Sequence, residues 1–231
     1  MISSSPPSRF NEFLAGARTT LPILLGVFPS GMLYGVLALQ AGLSVFTSQG
    51  MSSVVFAGSS QFMILQLLIA GAPVVVIVLT AFIVNLRHAL YSASIAPYLK
   101  HLSTRWKILL GYLLVDEAYS IGIARFMQDD DSPHKKWFQF GSGISLWICW
   151  QTSTALGIIF GQQISSDWSL DFALPLTFIA LVVPMIKDRA GVAAALIGGV
   201  VSVLAFGLPY KLGIIVAALC GIAAGLWSER P

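Results

Sequence analysis

The chain has 231 residues, 56% of them hydrophobic and only 10% charged, with a net charge of +3. Soluble domains carry about 25% charged residues, so a soluble fold hiding this many apolar segments is excluded. A small positive charge held in loops gives no argument for nucleic acid.

The first residues, MISSSPPSRF, are polar and proline-rich with no apolar signal region beside them, and read as a short disordered tail. Phe10, Phe13, Leu14 and Ala17 then recur at helical spacing between Arg9, Glu12 and Arg18, the pattern of a short helix lying in the membrane interface. Residues 1–18 are therefore expected to form a tail and interfacial helix, and 19–231 a single transmembrane domain. Apolar segments follow at 20–41, 51–70, 73–98, 107–127, 137–160, 172–187, 190–206 and 209–227. Each approaches the ~20 residues that cross ~30 Å of hydrocarbon. The expected fold is all-α, a polytopic transmembrane helical bundle of about seven or eight segments, some of them broken or re-entrant.

The first segment holds Pro22, Pro29 and Gly31. Proline removes a helical hydrogen bond and kinks the helix. Carbonyls freed near Pro29 and Gly31 would suit a substrate ammonium, although a packing kink would leave the same trace. In the second segment, Phe56 precedes a small polar interruption, Ala57-Gly58-Ser59-Ser60-Gln61. Charge placement gives this interruption weight. Lys100, Arg105 and Lys107 make the loop after the third segment basic, hence cytoplasmic, and Arg9 and Arg18 put the N-terminus on the same side. Three full crossings would put them on opposite sides. The second segment is the expected exception, broken at Gly58–Gln61 and not crossing; such backbone is tolerated where it lines a cavity or is buried in protein. Phe56-Ala57 with Phe62-Met63 is echoed by Phe172-Ala173 with Phe178-Ile179, interrupted by Pro175 and Pro184. Paired interrupted segments of this kind point to an inverted pseudo-repeat with a binding site between the halves.

The third segment carries Asn85, Arg87, His88 and Tyr91 near its middle. A charge at that depth costs about 2.5–3.5 kcal/mol on insertion scales, so it normally faces a cavity, a partner or a pathway. At about 3.6 residues per turn, Asn85, His88 and Ser92 share one face, with Arg87 and Tyr91 nearly opposite. Either one face lines a pathway, or Arg87 and His88 snorkel to anchor the helix end; their distance from the basic loop favours the pathway. In the fourth segment, taken as one helix, Tyr112, Asp116 and Ser120 share a face and Glu117 turns away. One carboxylate pairing with Arg87 relieves both charges. The other is then a candidate for proton coupling or for holding an ammonium, unless the pair is purely structural. Trp147 and Trp150 lie mid-segment, away from any interfacial belt, and call for helix packing or a cavity wall.

Enzyme signals are weak. Ser59 in AGSSQF is no nucleophile elbow, no glycine-rich phosphate loop precedes a helix, and His88, His101 and His134 lack metal-ligand spacing. Cys149 and Cys220 sit in apolar segments as packing residues. No cofactor is expected. The pairs Gly31/Gly35, Gly157/Gly161 and Gly221/Gly225 offer small faces for close helix approach, within the chain or against another subunit.

Taken together, GVFPSGMLYG, FAGSSQF, NLRHALY and LLVDEAYS, in this order and spacing, resemble the AzlC family, the large subunits of bacterial branched-chain amino acid exporters. The resemblance implies an inner-membrane exporter of leucine, isoleucine and valine, often methionine, working as a hetero-oligomer with a small AzlD-type membrane subunit. The residues admit such a substrate. Helix ends around Gly58, Ser59, Ser60 and Gln61 would offer N–H groups to a carboxylate, carbonyls near Pro29 or Asp116 would take the ammonium, and Phe56, Phe62 and Val84 would close on the side chain. With no site for ATP, the proton gradient is the expected drive, and Asp116, Glu117 and His88 are the candidate carriers, imidazole having the ordinary pKa nearest neutrality. A passive channel for small solutes and a membrane-embedded acid–base enzyme would use the same residues.

Overall fold

The structure is a computed structural model that describes residues 8–128, 132–162, 186, 188–208 and 212–229. The described residues are helical, and the contacts divide the chain into two compact units, 1–168 and 169–231. The 172–187 segment, and with it the suspected echo of Phe56–Met63, lies outside the described residues.

Three helices of the first unit are long and apolar enough to cross a membrane: α1 (Arg9–Gln40), α4 (Val74–Leu99) and α7 (Lys135–Gly161). Between them lie four short helices: α2 (Val45–Val55), α3 (Gly58–Ile69), α5 (Thr104–Tyr112) and α6 (Asp116–Phe126). At about 1.5 Å per residue each short helix covers about half of the hydrocarbon thickness. The stretch expected as a separate interfacial helix is continuous with α1, which begins on an N-cap bond from Asn11 N–H to Ser8 Oγ and runs through both prolines.

The register of contacts gives each short helix a direction. Along α2 the chain turns back beside α1, where Tyr34 Oη donates to the Ser48 carbonyl. Gly58 then lies against Trp150, which also touches Gly31. Further along α3, the Phe62 ring meets Tyr34 at 6.2 Å, nearer the C-terminal end of α1. So α3 returns to the side from which α2 entered. Next, α4 runs antiparallel to α3, with Asn85 beside Ser60 while Ile77 packs on Ile64 and Leu67. The second segment is a re-entrant hairpin, and Arg9, Arg18 and the Lys100–Lys107 loop accordingly share one side.

The fourth segment differs from its expected form. Leu113, Leu114 and Val115 interrupt it, so Tyr112 ends one helix and Asp116 opens the next. Through α6 the contacts Arg87–Asp116, Tyr91–Tyr119 and Tyr98–Phe126 run parallel with α4. Thus α5 climbs from the basic loop and α6 descends again. This second re-entrant hairpin enters from the opposite side, and the two tips meet where the Phe56 ring packs on Tyr112 at 5.8 Å. The order hairpin then span therefore occurs twice, in opposite senses.

Helices α1 and α7 lie parallel and close, because their glycines let backbones touch. Gly16 faces the Phe138 carbonyl, Gly141 that of Phe13, Gly35 that of Thr154 and Gly157 that of Met32. Added side chains would overpack this seam at about 1–3 kcal/mol each. In the second unit, α8 (Arg189–Leu204) and α9 (Leu212–Ser228) pair antiparallel, with Gly221 against Ala194 and Gly213 against Ala205. All three glycine pairs singled out in the sequence meet other parts of this chain.

Candidate functional site

Two half-helices begin at the meeting of the tips. Phe56 holds a left-handed backbone (φ 37°), a conformation uncommon for a non-glycine residue and worth about 1–3 kcal/mol of strain. Its burial against Tyr112 holds it there. The turn releases the chain into α3 at Gly58, so the break falls at Phe56 and Ala57, just before the expected stretch: Gly58, Ser59, Ser60 and Gln61 are the first turn of α3, not the non-helical stretch. Neither Ala57 before α3 nor Val115 before α6 supplies a capping side chain. Both N-termini thus present uncapped positive dipole ends near the middle of the first unit. The two are not equivalent: the first turn of α6 has its own acids in Asp116 and Glu117, whereas that of α3 has none.

Arg87, from the middle of α4, joins the two. Its Nη1 donates to Asp116 Oδ2 at 2.5 Å and its Nη2 to Ser59 Oγ at 2.5 Å, while Asn85 Nδ2 donates to Ser60 Oγ at 3.2 Å. Asn85 and Arg87, nearly opposite on an ideal helix, reach neighbouring serines because the long arginine stem carries its guanidinium around α4. His88 meets the Tyr91 ring edge-on at 5.9 Å, and Tyr91 stacks on Tyr119 at 4.4 Å. Tyr91 thereby fixes α6 against α4 directly below Asp116.

The two mid-segment tryptophans stand behind the tips. Trp147 Nε1 donates to Tyr112 Oη at 2.7 Å, and Tyr112 Oη donates to the Ser53 carbonyl at 2.6 Å. Trp150 lies so close to Gly58 that a Cβ there would sit 3.0 Å from its ring. Gly31 is buried against Ser153 and Trp150 as a packing residue, and Pro29 is exposed on α1. Neither reaches the Arg87–Asp116 cluster by a hydrogen bond among the described residues.

The polar inventory at the tips is incomplete. Gln61 is fully buried beside Tyr34, whose hydroxyl is committed to Ser48, and neither Gln61 amide atom makes a hydrogen bond of ordinary length. Asn85 Oδ1, Arg87 Nε, His88 Nε2, Asp116 Oδ1 and Trp150 Nε1 are likewise buried without such a bond. Among the described residues, the other buried side-chain atoms in this condition are Gln49 Oε1, Trp137 Nε1 and Gln139 Oε1. Leaving a buried polar group unpaired costs about 1–3 kcal/mol, so a concentration of them at the tips calls for a physical explanation.

Sequence reasoning missed a second ion pair. Glu12 and Arg125 form a buried bridge tying α1 to the end of α6, with Ser132 Oγ donating to Glu12 at 2.8 Å and Arg125 Nη1 donating to Gln128 Oε1 at 3.1 Å. One sign was present: Glu12, Gly16 and Thr20 fall at i, i+4 and i+8, a single small and polar stripe, all of it buried.

Residues 22–164 match the AzlC protein family. The inner membrane protein YgaZ of Escherichia coli (strain K12) is 26% identical over 229 residues, covering 95% of this chain and 93% of that protein. An uncharacterized membrane protein of Archaeoglobus fulgidus is 31% identical over 226 residues, 95% of this chain and 97% of its own. The branched-chain amino acid transport protein AzlC of Bacillus subtilis (strain 168) is 27% identical over 192 residues, 81% of this chain and 74% of its own. No solved structure matches. The family match spans both hairpins, the whole of α4 and α7, and α1 from Pro22 onward, and this chain belongs to the AzlC family.

Proposed function

We propose that this protein exports branched-chain amino acids, and methionine with them, across the bacterial inner membrane, driven by the proton gradient and together with a small AzlD-type membrane subunit. The observation that carries the reading is the set of unpaired buried groups around the hairpin tips, which contains donors and acceptors together. A free amino acid presents the complement at one end: a carboxylate that needs donors and an ammonium that needs acceptors. The acid-free N-terminus of α3, Gln61 Nε2 and the Arg87 guanidinium take the carboxylate. Asp116, with Asn85 Oδ1 and Gln61 Oε1, takes the ammonium. Phe56, Phe62 and Val84 supply the apolar slot for the side chain. When substrate enters, Arg87 exchanges Asp116 for the substrate carboxylate, which frees Asp116 for the ammonium. Glu117, next in the same turn, and His88 are the carriers for a coupled proton. The relative from Bacillus subtilis, named for branched-chain amino acid transport, supports the substrate class. Nothing in this arrangement calls for bond-breaking chemistry.

The test is efflux of preloaded leucine, isoleucine, valine and methionine from cells making this chain with and without a small AzlD-type subunit. Efflux above that of control cells, requiring both chains and stopped by a protonophore, is expected. Equilibration indifferent to the protonophore would make the protein a passive channel. Absence of efflux for all four, with both chains in the membrane, would overturn the substrate.

A further inference from the structure

A groove of 290 Å³ runs between α4 and α5, away from the hairpin tips. Its size falls just below the range for small-ligand pockets, about 300–1,000 Å³. Ile95, Leu99, Leu110 and Leu114 form apolar walls, and Lys100 and Lys107 stand at its mouth. Because α5 stops at Tyr112, it lies beside α4 as a short strut, and the slot remains between them.

Three observations say what chemistry fits. First, the mouth lies at headgroup depth. Trp106, one residue before Lys107, packs on Trp137 at 4.9 Å and Phe140 at 5.8 Å, with Lys136 over its ring at 5.3 Å. Clusters of tryptophan and lysine mark the membrane–water boundary. Second, this boundary is on the side that also carries Arg9, Arg18 and Arg105. Such basic flanks face the cytoplasmic leaflet, where the anionic lipids are. Third, Lys107 Nζ donates to the Lys100 carbonyl at the end of α4 at 3.0 Å, which fixes the ammonium over the slot with protons to spare.

We propose that this groove is a binding site for an anionic phospholipid of the cytoplasmic leaflet, its phosphate on Lys100 and Lys107 and one acyl chain between α4 and α5. An apolar slot that ends in two ammonium groups at headgroup depth suits a phosphate carrying a hydrocarbon tail. A soluble anion would leave the slot unused, and a zwitterionic lipid would bring its own cation against the lysines. Bound there, the lipid braces the second hairpin against α4, the span that carries Arg87.

Native mass spectrometry of the full-length protein, with phosphatidylglycerol or phosphatidylcholine added, tests this. Preferential retention of phosphatidylglycerol is expected. Lys100→Gln with Lys107→Gln should lower that retention roughly thirtyfold, the effect of about two near-surface lysines. Arg9→Gln with Arg18→Gln, the same charge removed from the same side, should leave it unchanged. Ala96→Trp should block the slot and lose the lipid with both lysines present. Equal retention of phosphatidylcholine, or an equal loss in the arginine control, would overturn the proposal. So would displacement by millimolar inorganic phosphate, retention in Ala96→Trp, or a second polypeptide in place of the lipid.

Discussion

Among the described residues there are two arginine–carboxylate pairs, and their surroundings differ. Glu12 and Arg125 are 2% and 10% exposed, and around them Ser132 and Gln128 add further hydrogen bonds. Arg87 and Asp116 are 29% and 39% exposed, and each keeps a buried atom, Nε and Oδ1, without a hydrogen bond. The first pair is surrounded by its own protein; the second is left with capacity in hand. A closed pair resists rearrangement because a separated buried charge has nowhere to go. An open pair can exchange partners, which a binding site requires.

The largest expected effect separates the pairs by stability. Removing one partner of a buried pair costs about 3–5 kcal/mol, so Glu12→Ala or Arg125→Ala should sharply lower the thermal midpoint of the detergent-solubilised protein. Arg87→Ala or Asp116→Ala should cost clearly less, because these side chains keep 29% and 39% of their surface open. Equal melting of all four variants would erase the distinction. Transport sharpens it from the other side. Hydrogen bonds to charged groups contribute about 1.5–3 kcal/mol, so Arg87→Ala and Asp116→Ala should each reduce efflux by roughly tenfold to a hundredfold at unchanged protein level.

Charge reversal gives the intermediate effect and the clearest contrast. Glu12→Arg combined with Arg125→Glu restores a pair between α1 and α6 and should recover much of the stability lost by either single change. Arg87→Asp combined with Asp116→Arg also restores a pair. It should not restore efflux, because the cation would then sit at the N-terminus of α6, whose dipole is already positive, and would have left Ser59. Recovery of efflux in this double variant would return Arg87 and Asp116 to a structural role.

The first hairpin could be read from the sequence because both of its signals are written in composition and charge. Small polar residues interrupt an apolar run, and the basic flanks agree only if that segment turns back. The second hairpin gave neither signal. Leu113, Leu114 and Val115 are as apolar as a span, so 107–127 passed for one helix, and the break that makes Asp116 a helix-opening residue was hidden. The adjacent acids were themselves the trace, since carboxylates favour a helix N-terminus. Of the site, Arg87, Asn85, Ser59, Ser60 and Asp116 stood out because polar groups at membrane depth are costly. Gly31 stood out for its neighbouring proline, yet its place is set by Ser153 on α7, a contact that no local pattern announces. Glu12 and Arg125 are 113 positions apart, each beside other polar residues at the end of a helix, and only the fold brings them together.

The smallest expected effect tests how much of the tip cluster is aimed at substrate. Asn85 spends one amide proton on Ser60 and leaves its carbonyl oxygen unpaired. Ser60→Ala removes that fixed partner without touching Arg87, Asp116 or the backbone of α3. A neutral hydrogen bond contributes about 0.5–1.5 kcal/mol, so if Ser60 serves to hold Asn85 Oδ1 toward the ammonium, half-saturation for leucine should rise by roughly threefold to tenfold. The maximal rate should hold, because the charged exchange between Arg87 and Asp116 is intact. An equal fall in maximal rate with unchanged half-saturation would place Ser60 in the movement of the hairpin, and would shift the boundary between closed and open clusters from the ion pairs to the serines of α3.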